Sequence, residues 1–291
     1  MKPPPFSYRA PTTVEAAQAL LAEHSDEEAR VLAGGQSLIP LMNFRLAQPT
    51  HLVDLGHLPS LDVIRHDDGA LAVGAMVRQS ALEHSAETAR TAPLLVEATR
   101  LVAHPPIRHR GTVGGSIAHA DPAAELPAAV LALDGEMVAT SVRGRRAIPA
   151  SEFFLGPFTT ALQPDEILTE LRVPSWPAGA GYAFEEFTRT HGNFAVVGAA
   201  ALVQLDGERV AGAALALCGV GGTPLRAHEA ERTLTGEEPS ADAIRSAADA
   251  AVAGLEPTSE VHASGPYRLR LTRAYARRAL ELASERALGE R

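Results

Sequence analysis

Two short stretches decide the fold: Leu32-Ala33-Gly34-Gly35-Gln36-Ser37 and Thr112-Val113-Gly114-Gly115-Ser116. The first follows a predicted apolar strand at residues 30–33, and Ser37 is suited to be the N-cap of a helix that tolerates Pro40 in its first turn. A phosphate needs several backbone N–H groups and no Cβ in the way, and glycines at a helix start supply both. The two stretches therefore predict two loops that clamp a pyrophosphate from opposite sides.

Each glycine pair alone is also typical of a tight turn that needs left-handed backbone geometry, so that interpretation stays open. Neither stretch matches G-x-G-x-x-G or G-x-x-x-x-G-K-[ST], which disfavours a Rossmann domain and a P-loop.

Composition limits the class of protein. The chain has 291 residues, 46% of them hydrophobic and 21% charged, which indicates a globular protein long enough for two domains. A net charge of −9 argues against a nucleic-acid surface. No apolar run reaches eighteen residues and the first ten residues lack an apolar core, so we expect no membrane span, no secretory signal and a cytoplasmic location.

Cys218 is the single cysteine. One thiol excludes an internal disulfide, a four-cysteine iron–sulfur cluster and a cysteine-rich zinc site on this chain. Because it lies in an apolar run, we expect Cys218 to be a buried small hydrophobe.

The first 175 residues alternate predicted strands and helices. Thr12 and Glu15 have the spacing of a capping box, and Asp121-Pro122 predicts the N-cap and first residue of a helix that reaches about Leu133. His104-Pro105-Pro106 must break a helix. Further strands are predicted at residues 51–55, 69–76, 136–141 and 167–173, and further helices at 80–84 and 93–102.

The C-terminal part has a different pattern, which begins after a predicted linker at residues 174–181. Two apolar runs, at residues 194–205 and 208–220, are joined by Asp206-Gly207, where a hairpin turn needs both residues at positive φ. Predicted helices follow at residues 226–234, 241–254 and 266–284. Strands followed by helices indicate an α+β unit, and two lobes with a cleft between them are expected.

Five motifs in order resemble one known family. They are AGGQSL at residues 33–38, RGTVGGSIAHADPAAELP at 110–127, DEIL at 165–168, a segment at 189–197, and GVGGTPLRA at 219–227, followed by Tyr267-Arg268 and residues 277–280. Together they are similar to the flavin-binding medium subunit of molybdenum hydroxylases, which includes those of carbon monoxide dehydrogenase and bacterial xanthine dehydrogenases.

The resemblance implies an α+β fold, with a two-subdomain FAD-binding lobe of the vanillyl-alcohol-oxidase/PCMH type and a smaller α+β C-terminal domain. It places the FAD-binding domain at residues 1–175, with subdomains at about 1–57 and 58–175, and the C-terminal domain at 182–286. Non-covalent FAD would contact residues of both loops and a few beyond them: Val31, Leu32, Ala33, Gly34, Gly35, Gln36, Ser37, Leu38, Val102, Thr112, Gly114, Gly115, Ser116, Asp121, Glu125 and Leu168.

The resemblance also implies partners. The molybdenum cofactor would lie on a large subunit and two [2Fe–2S] clusters on a small subunit, and this chain would pass electrons to NAD⁺, a quinone or oxygen. No catalytic residue and no metal ligand is expected here. Glu185 stands where related proteins carry lysine, and Asn193 where aspartate is usual, so a scaffold with weak or no flavin remains an alternative. A stand-alone FAD enzyme is another.

Several candidate residues have simpler interpretations. Asp121 would only cap a helix, and Glu125 would only complement its dipole. His104, His109 and His119 lack metal-ligand spacing and are expected at the surface or in loops, and Arg108 and Arg110 are expected to face solvent.

Overall fold

The computed structural model describes residues 2–67 and 69–289. The first unit is a three-stranded parallel sheet with strand order β1-β3-β2. Ala17 and Leu21 are buried beneath it, together with Val53 and Leu55. The elements of this unit are β1 (Ser7–Arg9), α1 (Val14–Glu23), β2 (Ala29–Leu32), α2 (Leu38–Asn43) and β3 (His51–Asp54).

The capping box was placed one residue too early. Thr13, and not Thr12, is the N-cap of α1, and its hydroxyl accepts from the Ala16 amide at 3.2 Å. Ser37 does precede α2 as predicted, but its side chain makes no capping hydrogen bond. The amides of the first turn of α2 therefore gain nothing from a serine cap.

The second unit is a five-stranded antiparallel sheet with order β4-β5-β10-β6-β7. Its strands, and a small β8-β9 pair, are β4 (Ile64–Asp67), β5 (Ala70–Gly74), β6 (Glu136–Ser141), β7 (Gly144–Pro149), β8 (Phe154–Gly156), β9 (Thr159–Thr160) and β10 (Ile167–Pro174). Its helices are α3 (Gln79–Glu83), α4 (Ala86–Thr91), α5 (Pro93–Leu101), α6 (Pro105–Arg108), α7 (Val113–His119), α8 (Glu125–Ala132) and α9 (Ala150–Phe153).

Two helix boundaries in this unit differ from the predictions. Asp121 does not start a helix. The chain first makes a turn in which the Asp121 carboxylate accepts from the Ala123 amide at 2.9 Å, and α8 begins only at Glu125. The proline pair does end α5 as predicted, and Pro105 also opens α6, since proline is tolerated in a first helical turn.

The third unit is a four-stranded antiparallel sheet with order β11-β12-β13-β14 and helices packed on it. Asp206 pairs with Arg209, so the hairpin turn is Gly207-Glu208, and of the predicted pair only Gly207 has positive φ, at 57°. The predicted turn was therefore one residue early. The elements are β11 (Gly181–Phe187), β12 (Val197–Asp206), β13 (Arg209–Cys218), β14 (Leu225–Arg226), α10 (His228–Leu234), α11 (Ala241–Val252) and α12 (Gly265–Gly289).

One apolar core joins the second and third units. Every residue of α8 is buried, and its apolar side chains share a cluster with Leu202 of β12 and Ala214 of β13. The predicted α+β class, with a two-part lobe followed by a smaller α+β domain, is confirmed. Among the described residues, no helix has both the length and the apolar composition that a membrane span requires.

Candidate cofactor-binding site

A cavity of about 600 Å³ lies where the three units meet. The first unit contributes the loop after β2, the second contributes α7 and the turn before α8, and the third contributes residues 192–194. Every predicted site residue lines the cavity except Leu32, which belongs to β2. The predicted residues thus make up a little under half of those that line the cavity.

The first loop, residues 33–38, presents unused donors. Among the described residues, the backbone N–H groups of Gly34, Gly35, Gln36 and Ser37 donate to no protein acceptor. Gly35 has φ +70°, a left-handed conformation that side chains disfavour, so the turn needs glycine there. Because all four residues line the cavity, their amides are available to a ligand that fills it.

The second loop, residues 112–116, is different because its amides are already paired. The Gly114 N–H donates to the Ala75 carbonyl at 2.9 Å, and the Gly115 N–H donates to the Thr112 hydroxyl at 3.0 Å. The Ser116 N–H donates to the Thr112 carbonyl at 3.1 Å. The prediction that both loops donate amide hydrogen bonds to one pyrophosphate therefore does not fit the backbone, because the amides of the second loop are already paired.

Close packing explains three of the four glycines. A Cβ on Gly34 would collide with the Arg110 carbonyl, and a Cβ on Gly114 would lie 2.7 Å from the Ala75 Cα. A Cβ on Gly115 would lie 2.7 Å from the Thr112 hydroxyl oxygen. The first loop thus packs against the backbone just before the second, which fixes both walls of the cavity.

A buried carboxyl group, that of Glu125, belongs to the cavity wall. Glu125 is only 4% exposed and lines the wall, and burial raises its pKa to about 7. Its own amide works against that shift, and the Asp121 charge adds to it. Burial, and then the Glu125 charge, raise the pKa of Glu186 in β11 to about 8. The same acidic groups and complete burial raise the pKa of the Cys218 thiol well above its usual range, so it is the inert hydrophobe that was predicted.

Sequence reasoning singled out Glu185, but neither Glu185 nor its neighbour Glu186 lines the cavity. Both glutamates belong to β11, and both are half-buried. Asn193 does line the cavity, next to Phe194.

The histidine and arginine expectations were partly wrong. His119 lines the cavity with its ring centroid 5.1 Å from that of Phe158, and burial lowers the pKa of its imidazole. Arg108 does not face solvent. It is buried, its Nε lies 2.8 Å from a Glu83 carboxylate oxygen, and its Nη1 donates to the Val102 carbonyl at 2.9 Å. Arg108 therefore fixes the segment that carries Val102 to the cavity.

Other wall residues lie outside the glycine motifs, and most are apolar side chains that no short motif identifies. They include Leu41, Ala47, Leu55, Met76, Gln79, Ile107, Phe158 and Leu162.

Comparisons with known proteins cover nearly the whole chain. Residues 4–176 match the family described as the FAD binding domain in molybdopterin dehydrogenase, and residues 182–283 match the CO dehydrogenase flavoprotein C-terminal domain. The 6-hydroxypseudooxynicotine dehydrogenase complex subunit alpha of Paenarthrobacter nicotinovorans is 44% identical over 99% of this chain and 97% of its own length.

Solved structures agree. A chain of the Hydrogenophaga pseudoflava carbon monoxide dehydrogenase that lacks the Mo-pyranopterin moiety superposes with a TM-score of 0.96 at 40% identity, covering 98% of this chain and 99% of that one. A chain of quinoline 2-oxidoreductase from Pseudomonas putida 86 gives a TM-score of 0.94 at 38% identity, covering 99% and 100%.

Proposed function

This chain belongs to the FAD-binding medium subunits of the molybdenum hydroxylases, and from that premise we propose that it holds one non-covalent FAD in the cavity and passes electrons from a [2Fe–2S] partner subunit to NAD⁺, a quinone or oxygen. The resemblance predicted from the five motifs is confirmed, and the chain is a flavoprotein oxidoreductase subunit.

The observation that carries the proposal is the row of unpaired amides at residues 34–37. An anionic pyrophosphate is the part of FAD that such donors recognise, because a phosphate accepts hydrogen bonds from several backbone N–H groups where no Cβ stands in the way. The surrounding cavity, at about 600 Å³, is within the range of small-molecule and cofactor sites. The residues present therefore fit FAD.

The second loop has a different task in this proposal. Since its amides are paired, Gly114 and Gly115 form a close-packed wall, and Thr112 holds that wall by capping α7. Ser116, Asp121 and Glu125 are among the polar residues that line the cavity there. Glu125 accepts hydrogen bonds from ribityl or ribose hydroxyls when ionised and can donate one when protonated.

The remaining tasks of the chain are binding and shielding, and no side chain here needs to act as acid, base or nucleophile. When bound, FAD supplies the redox chemistry, because flavins exchange electrons singly or as a hydride. Phe158 and Phe194, which are 60% and 61% exposed, line the mouth of the cavity and would shield the bound group from water.

Division of labour among subunits explains what this chain lacks. Cys218 is its single cysteine, so the [2Fe–2S] clusters are assigned to a small partner subunit and the molybdenum cofactor to a large one. The named relatives act on compounds as different as carbon monoxide and quinoline, yet their chains superpose closely on this one. We therefore place substrate selection on another subunit.

The test is an absorbance spectrum of the purified chain, with released FAD quantified per chain. We expect a yellow protein with about one equivalent, and bleaching by NADH if NAD⁺ is the acceptor. A colourless chain that cannot be reconstituted with FAD would favour the scaffold alternative. Gel filtration with the candidate partner subunits separates the remaining case, since a stand-alone enzyme would not co-migrate with them.

A further inference from the structure

A histidine pair and a glutamate converge on the first unit, outside the cavity. His24 follows the last residue of α1, Glu27 lies in the turn before β2, and His51 begins β3. One ring nitrogen from each histidine and one Glu27 carboxylate oxygen lie within 4.8 Å of one another. None of the three lines the cavity, so the flavin proposal does not use them.

The distances suit a tetrahedral metal ion. Glu27 Oε2 lies 3.1 Å from His51 Nε2 and 3.7 Å from His24 Nδ1. Ligand atoms at about 2.1 Å from a tetrahedral zinc ion lie roughly 3.4 Å from each other, a separation between these two. The two rings are stacked with centroids 3.8 Å apart and planes inclined by 15°, so the histidines lie side by side next to the same carboxylate.

We propose that His24, Glu27 and His51 bind a divalent ion of the zinc class, with the fourth position open to solvent. Imidazole nitrogens with one carboxylate are a donor set that zinc prefers. The ion would tie the end of α1 to the start of β3 and thereby stabilise the sheet from which the first loop emerges.

Burial and charge support this site. The histidine side chains are 14% and 13% exposed, and His24 Nδ1 is buried without a hydrogen-bond partner among the described residues. An unpaired buried nitrogen is costly, and a metal ion would satisfy it. Glu27 is 59% exposed, which leaves a path for the ion, and three more carboxylates occupy the same short segment, at Glu23, Asp26 and Glu28.

The backbone fixes the ligands in advance. The Glu27 amide donates to the His24 carbonyl at 3.0 Å, and the Thr50 hydroxyl bonds to the Glu27 carbonyl. His51 is paired on both sides within the sheet, with Ser7 and with Ala29. Little ordering remains to be done when an ion binds, which favours affinity.

The test is calorimetric titration of the chelator-treated full chain with Zn²⁺, and of the chain with Co²⁺ monitored by its visible absorbance. We expect one saturable ion per chain, a tetrahedral Co²⁺ spectrum and a higher Tm with Zn²⁺. His24→Gln and His51→Gln should each weaken Zn²⁺ binding by more than about 100-fold, since each removes a ligand and loss of an outer-shell partner alone costs about 10- to 100-fold.

Matched variants make the result interpretable. His228→Gln removes a histidine that is 67% exposed and pairs only with Glu231 one helical turn on, and it should bind Zn²⁺ as the wild type does. Glu27→Gln, at an exposed position, tests the site should a histidine variant fail to fold. Absence of saturable binding by the wild type, or wild-type affinity in the folded cluster variants, would overturn the proposal.

Discussion

The first and second glycine loops look alike in sequence and differ in the state of their amides. Residues 34–37 leave four N–H groups without a protein acceptor among the described residues, whereas residues 114–116 donate all three to Ala75 or Thr112. The first loop is open because it connects a parallel strand to a short helix. The second is closed because Thr112 caps α7 and Gly114 packs on Ala75.

The difference teaches that a glycine pair has two physical uses. Gly35 supplies the left-handed conformation that the turn needs, whereas Gly114 allows two backbones to approach closely. Substitutions should therefore affect flavin binding most in the first loop and folding most in the second.

The largest expected effect is that of Gly114→Val on stability. Its side chain would collide with the backbone and Cβ of Ala75, which belongs to the core, so the free energy of unfolding should fall by about 3 kcal/mol. Denaturant unfolding of the flavin-free chain measures this. Ser116→Ala, in the same loop, should stay within about 0.5 kcal/mol of the wild type. Equal stability of the valine variant would refute the close-packing explanation.

The next effect concerns pH and the carboxyl group behind the second loop. Folded Glu125 has a pKa of about 7 against an ordinary 4.5, so the folded chain keeps a proton that the unfolded chain releases. This contribution is fully present below pH 4.5 and is lost as the pH rises through 7. Between pH 5 and pH 8, the free energy of unfolding of the flavin-free wild type should therefore fall by up to about 3 kcal/mol more than that of flavin-free Glu125→Gln.

Thermal and denaturant unfolding at both pH values test the Glu125 prediction. Glu186→Gln should show the same sign over a window that extends to about pH 8, since burial also raises that pKa. Parallel stability curves for wild type and both variants would mean that neither carboxyl group keeps a proton in the folded chain.

A smaller effect is expected for Gly35→Ala on FAD affinity. The positive φ of residue 35 costs alanine about 1 kcal/mol, and relaxation of the loop would turn amides away from the cavity. We expect about tenfold weaker FAD binding, which corresponds to about 1.4 kcal/mol. Gly236→Ala is the control, because Gly236 has φ +87°, open space around its Cβ position and no place in the cavity wall. Equal FAD affinities of the two variants would disprove the role of the first loop.

The smallest expected effect tests whether the second loop only supports the cavity wall or itself contacts FAD. Thr112→Ala removes the hydroxyl that accepts a hydrogen bond from the Gly115 amide, so the free energy of unfolding should fall by about 1 kcal/mol. Thr112→Ser keeps the hydroxyl and should restore stability. FAD affinity of the alanine variant should fall less than that of Gly35→Ala, as measured by flavin fluorescence titration; a larger fall would mean that the second loop itself grips the cofactor.

Much of the fold was predictable because its signals are local. The strand at residues 136–141 was placed as observed, and the helix at residues 93–102 was placed within one residue of α5. Errors arose where the same local sequence is compatible with two different structures. Thr12 and Thr13 can both cap a helix, and the chain uses Thr13. Asp121 could cap a helix that starts at Pro122, but its carboxylate instead accepts a hydrogen bond within a turn.

The sequence predicted site residues mainly where they belong to the matched motifs. The glycine loops, Glu125 and Leu168 came from matched segments, and all of them line the cavity apart from Leu32. Phe158 and Phe194 line it because segments that are distant in sequence from the glycine loops pack beside them, and no spacing rule records that. Nor could the sequence reveal that Gly114 and Gly35 differ, since the acceptor for the Gly114 amide is Ala75, almost forty residues earlier.

Residue-resolved amide hydrogen exchange of the chain with and without FAD tests the central claim most directly. The account predicts that amides 34–37 exchange fast without FAD and become strongly protected when it is added, whereas amides 114–116 are protected in both states. Unchanged exchange at residues 34–37 on FAD binding, or protection that appears only at 114–116, would contradict it.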